Sequence, residues 1–217
     1  MNKGVIFDLD GVLVDTRDCH RQSWKDLCQA NAGWKYDDDY FLETFGCQNY
    51  QIIPTWAGRD VSREECDQHS AWKEERYRDL MGDGLELLEG VETLLQALKA
   101  DGFALAIGTS TPRVNLDFML SHTPAGKYFD EYVTAEDVTH SKPAPDTFLT
   151  GAKKLGFPPH RCVVVEDAII GVEAGKTAGM AVVAVTNTRV RKDLSQADRI
   201  VDSLTELTPQ DFSALLK

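Results

Sequence analysis

Val5-Ile6-Phe7-Asp8-Leu9-Asp10-Gly11-Val12-Leu13-Val14-Asp15-Thr16 is the stretch from which the rest of the chain can be read. An apolar run that stops at a carboxylate, a second carboxylate and a glycine predicts a buried central strand with chemistry at its C-terminal end. Residues two apart on an extended chain point to the same side, so Asp8 and Asp10 are expected to face one reaction space. Two close carboxylates repel, and the arrangement is costly unless a cation sits between them or one of them carries a proton. A strand followed by an ordinary Asp-Gly turn is the plainer alternative, and the surrounding sequence has to decide between them.

The 217 residues, 42% of them hydrophobic, suffice for one large domain or for a core with a smaller insert. Against 23 basic residues stand 35 acidic ones, a formal net charge of −12. That field disfavours nucleic acid and anionic membranes, and it makes any phosphate site a local exception that needs a metal and a lysine. The five cysteines, Cys19, Cys28, Cys47, Cys66 and Cys162, are odd in number and contain no Cys-x-x-Cys pair. They suit reduced thiols better than a disulfide framework or a zinc site. The first strand begins almost at once, leaving no room for a signal peptide, and no apolar run approaches membrane-spanning length. The expectation is a cytoplasmic protein, a monomer or a weak dimer.

After Thr16 the period changes. His20, Trp24, Leu27 and Cys28 recur at helical spacing, and from Gly33 to about Met81 the chain is polar, aromatic and helix-like with no convincing strand. The helix from Ser62 to about Met81 carries Cys66, Ser70, Lys73, Tyr77 and Leu80 on one stripe, which places Lys73 on the inward side. Alternation of strands and helices resumes at Gly90 and continues through Phe103–Thr109, Tyr132–Thr134, Cys162–Glu166, Ala181–Val185 and Arg199–Val201, with a last helix after Thr208-Pro209-Gln210-Asp211. The predicted fold is α/β: a Rossmann-like parallel sheet with helices on both faces, formed by residues 1–15 and 84–217, and an α-helical cap domain, residues 16–83, inserted after the first strand. Asp15–Arg17 and roughly Gly82–Leu85 are the expected linkers.

Ligands of such sheets sit outside the carboxyl ends of the strands, so the residues just past each apolar run carry the information. Thr109-Ser110-Thr111-Pro112-Arg113 is a hydroxyl cluster leading into a helix, either an ordinary N-cap or a seat for a phosphoryl oxygen. Ser141-Lys142-Pro143 confines an ammonium beside a rigid proline, although a solvated surface lysine is the alternative. Glu166-Asp167 ends a buried strand as Asp8 does. Two acids at a helix start serve as dipole partners, or, beside Asp8 and Asp10, as ligands of Mg²⁺, which prefers hard oxygens in an octahedron.

Asp8-Leu9-Asp10-Gly11-Val12, Thr109-Ser110, Ser141-Lys142-Pro143 and Glu166-Asp167, in this order, resemble the signature of the haloacid dehalogenase superfamily, and the resemblance spans nearly the whole chain. The helical insert resembles the cap of its β-phosphoglucomutase and phosphoglycolate phosphatase group, with Asp15-Thr16, His20 and Trp24-Lys25 nearest to β-phosphoglucomutase. The resemblance implies Asp8 as the nucleophile that becomes an aspartyl phosphate and Asp10 as the acid and then the base. It also implies Thr109, Ser110 and Lys142 as the phosphate contacts. Mg²⁺ would be held by Asp8, Asp167, the backbone carbonyl of Asp10, and Glu166 either directly or one shell out. Such a division of labour is physically sound, because phosphoryl transfer needs in-line placement and charge neutralisation above all.

The expected substrate is a small phosphorylated metabolite, a sugar, polyol or glycolate phosphate, with Thr16, His20, Trp24, Asn49 and Lys73 as its candidate cap contacts. In Phe45-Gly46-Cys47-Gln48-Asn49 the mutase resemblance would call for an arginine after the glycine, to grip the second phosphate of a bisphosphate. Asn49 cannot supply paired charged donors, and Lys73 offers only a point charge, or merely snorkels. Water is then the natural acceptor, which ranks a phosphatase above a mutase, and both above a non-catalytic binding module on the same fold.

Overall fold

The structure is a computed structural model that describes residues 3–82 and 84–216. The expected core ends at Met1 and Lys217, and the Asp83 boundary of the insert, lie outside the described residues. Six strands form one parallel sheet: β1 (Gly4–Phe7), β2 (Ala104–Gly108), β3 (Glu131–Val133), β4 (Cys162–Glu166), β5 (Ala181–Val185) and β6 (Arg199–Val201). The order is β3-β2-β1-β4-β5-β6, which puts β1 at the point where the winding reverses. Right-handed crossovers cover opposite faces on either side of such a point and leave a crevice at its carboxyl end.

Period-two alternation sorts the strand residues onto two faces. Val5, Phe7, Leu105, Ile107, Val163 and Val165 join one apolar cluster with α5 (Val91–Ala100), α6 (Arg113–His122) and α9 (Pro209–Leu215). Ile6, Ala106, Val164 and Val182 join the other with α7 (Asp146–Leu155) and α8 (Ile169–Thr177). Both faces are therefore buried, and the strands read as unbroken apolar runs for that reason.

Between β1 and α5 the chain runs through α1 (Arg17–Ala30), α2 (Asp38–Thr44), α3 (Asn49–Ala57) and α4 (Arg63–Met81). These helices bury a third cluster of their own, with Trp24, Leu27, Phe41, Ile53 and Trp56 at its centre. The chain leaves and re-enters the sheet through paired segments: Val14 bridges Leu87 in antiparallel fashion, and Leu88 N–H donates to the Leu13 carbonyl at 2.9 Å. The insert also reaches the core by side chains, among them Ser141 Oγ donating to Gln51 Oε1 at 2.7 Å and Arg189 donating to the Leu42 carbonyl.

On α4 the stripe expected to face inward is largely there, with Cys66, Lys73 and Tyr77 buried, but Ser70 and Leu80 are half-buried and Glu74 is buried in their place. Helical period alone assigned Glu74 to solvent. Two of its partners, Asn49 and Asn115, lie far away in sequence. All five cysteines are free thiols. Among the described residues no helix is long and apolar enough to cross a membrane.

Candidate active site

Asp8 follows directly on β1, and its N–H continues the ladder to the Val165 carbonyl of β4 at 2.9 Å. Glu166 ends β4, and Asp167 follows it into the turn before α8. Adjacent parallel strands thus deliver three buried carboxylates to one edge, with a ligand atom from each lying within 4.8 Å of the others. Lys142 joins them from the loop before α7. Its ammonium donates to Asp8 Oδ1 at 2.6 Å, to Glu166 Oε1 at 2.7 Å and to the Gly108 carbonyl at 3.2 Å.

Glu166 is held from both sides, because its Oε2 also accepts the Asp167 and Ala168 N–H groups at 2.8 and 2.9 Å. Glycines make room for these acids. A Cβ on Gly171 of α8 would overlap the Glu166 carboxylate, and one on Gly11, whose φ is +82°, would overlap that of Asp167.

Three acids around one lysine leave an excess of buried negative charge. Burial, helped by the charges of Glu166 and Asp10, outweighs the pull of Lys142 and raises the Asp8 carboxyl to about 7. Asp167 is raised well above the carboxylate range by burial and by the charges of Glu166 and Asp8. Burial works against the Lys142 ammonium, but Asp8 and Glu166 outweigh it and hold the group protonated beyond its ordinary range. Clustered hard oxygens with surplus charge are a donor set suited to Mg²⁺, so Asp8, Glu166 and Asp167 fit the metal that the sequence implied.

Asp10 lies elsewhere. Its side chain takes no part in the acidic cluster and points to hydroxyls: Oδ1 accepts from Thr16 at 2.7 Å and from Tyr77 at 3.0 Å, with His20 Nε2 at 3.3 Å, and Oδ2 accepts from Thr111 at 2.7 Å. Burial opposes its ionisation, but His20, Thr111 and Thr16 outweigh burial and hold the carboxyl well below its ordinary range. Tyr77 and Thr111 were absent from the site residues expected from the sequence. Tyr77 stood on the inward stripe of α4 and Thr111 in the hydroxyl cluster, so both carried a signal of position but none of partner.

The remaining expected residues fall into two groups. Thr109 is buried, and its Oγ1 accepts the Thr111 N–H at 3.0 Å. Ser110 Oγ is buried without a hydrogen-bond partner, an orphaned group beside the acids that a phosphoryl oxygen would satisfy. In the insert, the Lys73 ammonium lies 2.7 Å from His20 Nδ1 and 3.0 Å from Glu74 Oε1, so the charge expected to meet a phosphate is bonded within the insert instead. Asn49 Nδ2 likewise donates to Glu74 Oε1, at 2.7 Å. Trp24 packs edge-on against Trp56 with its ring 5.0 Å from the Lys73 ammonium. A cavity of about 270 Å³ lies between the two parts, lined by Asp8, Ser110 and Asp167 from the core and by Phe45, Tyr50 and Arg63 from the insert. Thr188, whose hydroxyl donates to Asp167 Oδ2, had no sequence signal at all.

This geometry has known counterparts. Residues 5–185 match the family of haloacid dehalogenase-like hydrolases. The fructose-1-phosphate phosphatase YqaB of Escherichia coli is 34% identical over 84% of this chain and 95% of its own. Among solved structures, β-phosphoglucomutase from Clostridium difficile superposes with a TM-score of 0.88 at 27% identity, covering 99% of this chain and 96% of that one. CbbY from Rhodobacter sphaeroides, in complex with xylulose-(1,5)bisphosphate, does so with a TM-score of 0.84 at 26% identity, covering 95% and 96%. With its parallel sheet, its helical insert and its strand-end acids, the chain belongs to the haloacid dehalogenase-like hydrolases.

Proposed function

We propose that this protein is a Mg²⁺-dependent phosphatase of a small sugar or polyol monophosphate, working through an aspartyl phosphate on Asp8. The observation that carries the reading is Lys142 bonded at once to Asp8 and Glu166, beside Asp167, with the unpartnered Ser110 hydroxyl nearby. Residues 16–83 act as a cap over the site, and the cavity between the two parts is the substrate chamber.

The negative charge of an incoming phosphoryl group opposes ionisation of Asp10, which takes up a proton as substrate binds. An Asp8 carboxylate oxygen then attacks phosphorus, the ester bond to the alcohol breaks, and Asp10 gives that proton to the departing oxygen. Asp10 then takes a proton from water as that water attacks the acyl phosphate, which releases inorganic phosphate and frees Asp8. Lys142, Ser110 and Thr109 orient the phosphoryl oxygens and offset their charge. Asp8, Asp167 and the Asp10 carbonyl, with Glu166 beside them, would hold Mg²⁺, which would supply further charge neutralisation at the phosphoryl group. Of the two oxygens on Asp10, Oδ1 takes three partners and Oδ2 only Thr111, so Oδ2 is the one with room to exchange a proton.

The mutase reading draws on the shape likeness to β-phosphoglucomutase. Against it, Lys73 and Asn49 are bonded inside the insert, and Arg63 at the cavity is paired with Asp67 at 3.0 Å, so that among the described residues lining the cavity each lysine and arginine already has a side-chain partner. Phosphate release from a panel of sugar, polyol and glycolate phosphates, with Asp8→Asn as the control, tests the proposal. Glucose 6-phosphate formed from β-glucose 1-phosphate with a trace of bisphosphate, at a rate matching phosphate release, would favour the mutase. Equal inertness of both proteins would favour a binding module. Trapped phosphate that maps to any residue but Asp8 rules out the assigned nucleophile.

A further inference from the structure

Glu74 and Asn115 have no part in the reaction as written, yet they are polar groups buried against each other across the seam between insert and core. Glu74 belongs to α4 and is 5% exposed; Asn115 belongs to α6 and is 1% exposed. Asn115 Nδ2 donates to Glu74 Oε2 at 2.5 Å, and Arg78, one turn along α4, donates to Asn115 Oδ1 at 2.7 Å. The other Glu74 oxygen accepts from Asn49 at 2.7 Å and from Lys73 at 3.0 Å. A buried carboxylate is a poor adhesive, since apolar side chains of the same volume seal a seam as well or better. Adhesion alone therefore does not account for it.

A bonded path leads from this seam to Asp10. The Lys73 ammonium can only donate, so His20 Nδ1, 2.7 Å away, must accept. That fixes the tautomer with the hydrogen on Nε2, which faces Asp10 Oδ1 at 3.3 Å. His20 is also stacked on Tyr77 with ring centres 4.0 Å apart, and Tyr77 donates to the same oxygen. Oδ1 is thereby pinned, and Oδ2 is left bonded to Thr111 of the core. We infer that Glu74 and Asn115 are positioning residues: Asn115 of the core sets Glu74, Glu74 sets Lys73, and Lys73 sets the His20–Asp10 pair only while the insert sits on α6. Lifting the insert removes Asn115, leaves Glu74 Oε2 without its partner, and carries His20 and Tyr77, which belong to the insert, away from Asp10. The acid–base group is then in register only in the closed chamber.

The inference rests on Asp10 being the acid of the proposed phosphatase, and a pair of substrates separates the two claims. Phenyl phosphate and p-nitrophenyl phosphate have similar size and charge, but phenolate leaves well only when it is protonated, whereas p-nitrophenolate leaves unaided. The ratio kcat/KM covers only the steps through alcohol release, so hydrolysis of the acyl phosphate drops out of the comparison. Asn115→Leu, which keeps the volume, and Glu74→Gln, which keeps the shape, are each expected to lower kcat/KM on phenyl phosphate about thirtyfold or more. On p-nitrophenyl phosphate the expected loss is less than about threefold. Equal losses on both substrates would mean that the pair merely holds the insert in place, and would overturn the inference while leaving the phosphatase reading intact. A wild-type protein inert on both aryl esters and on the sugar and polyol phosphate panel overturns that reading and the inference with it.

Discussion

Lys142 stands 2.6 Å from Asp8, so the expected nucleophile is ion-paired with a buried cation that it shares with Glu166 of the neighbouring strand. Removing the cation strands three buried carboxylates. Lys142→Met is expected to cost about 3 kcal/mol of stability at neutral pH and to lower phosphate release by about a hundredfold or more. Urea unfolding and initial rates measure the two effects, and an unchanged urea midpoint would mean that the lysine does not offset the acids.

The surplus charge around Asp8, Glu166 and Asp167 would make Mg²⁺ a folding ligand as well as the proposed catalytic one. Mg²⁺ at a hundred times its dissociation constant is expected to stabilise the wild type by about 2.7 kcal/mol over the same protein in EDTA. Asp167→Asn should lose most of that response and, in EDTA, should melt above the wild type because a buried acid whose ionisation is opposed by burial, Glu166 and Asp8 is gone. Thermal melts in EDTA and in MgCl2 decide the matter, and a variant that still responds fully excludes Asp167 as a ligand.

Glu74 makes stability depend on acid. Burial opposes its charge, but Lys73 and Asn49 outweigh burial and hold it ionised below its ordinary value of 4.5. On acidification the unfolded chain takes up this proton first, so the contribution is complete above the ordinary glutamate range and fades as pH falls through the depressed folded value. Urea midpoints between about pH 7 and about pH 3 should fall less for Glu74→Gln than for the wild type. Parallel falls would assign the acid limb to other carboxylates.

Gly171 owes its identity to Glu166 rather than to its own helix. Gly171→Ala is expected to cost about 2 kcal/mol through overpacking, against the small gain an alanine brings to a helix interior. It should also reduce phosphate release by displacing Glu166 from Lys142. A stabilised and fully active variant would show that α8 can shift to accommodate the methyl group.

Much of this site was legible because chemistry in a doubly wound fold concentrates at strand ends. Asp8, Glu166 and Asp167 follow apolar runs and Lys142 stands just before a rigid proline, and the structure gathers them on one edge. The partners of Asp10 were harder to see. Thr111 lies 101 residues away and Tyr77 lies 67 away, and no local pattern says that two hydroxyls point at one carboxylate. Lys73 shows the limit of period. The stripe placed it inward, but whether an inward lysine meets substrate or another side chain depends on what faces it, and here His20 and Glu74 do.

By itself, the sequence determined the strand-and-helix alternation, the central position of the first strand and the acids at strand ends, because apolar period and turn chemistry are local properties of the chain. Tertiary structure alone decided that Asp10 turns away from the acidic cluster, that Lys73 serves His20, and that Glu74 is buried against Asn115. Those outcomes depend on which groups stand opposite across the seam between insert and core, where burial makes each unpaired polar atom costly and so dictates its partner.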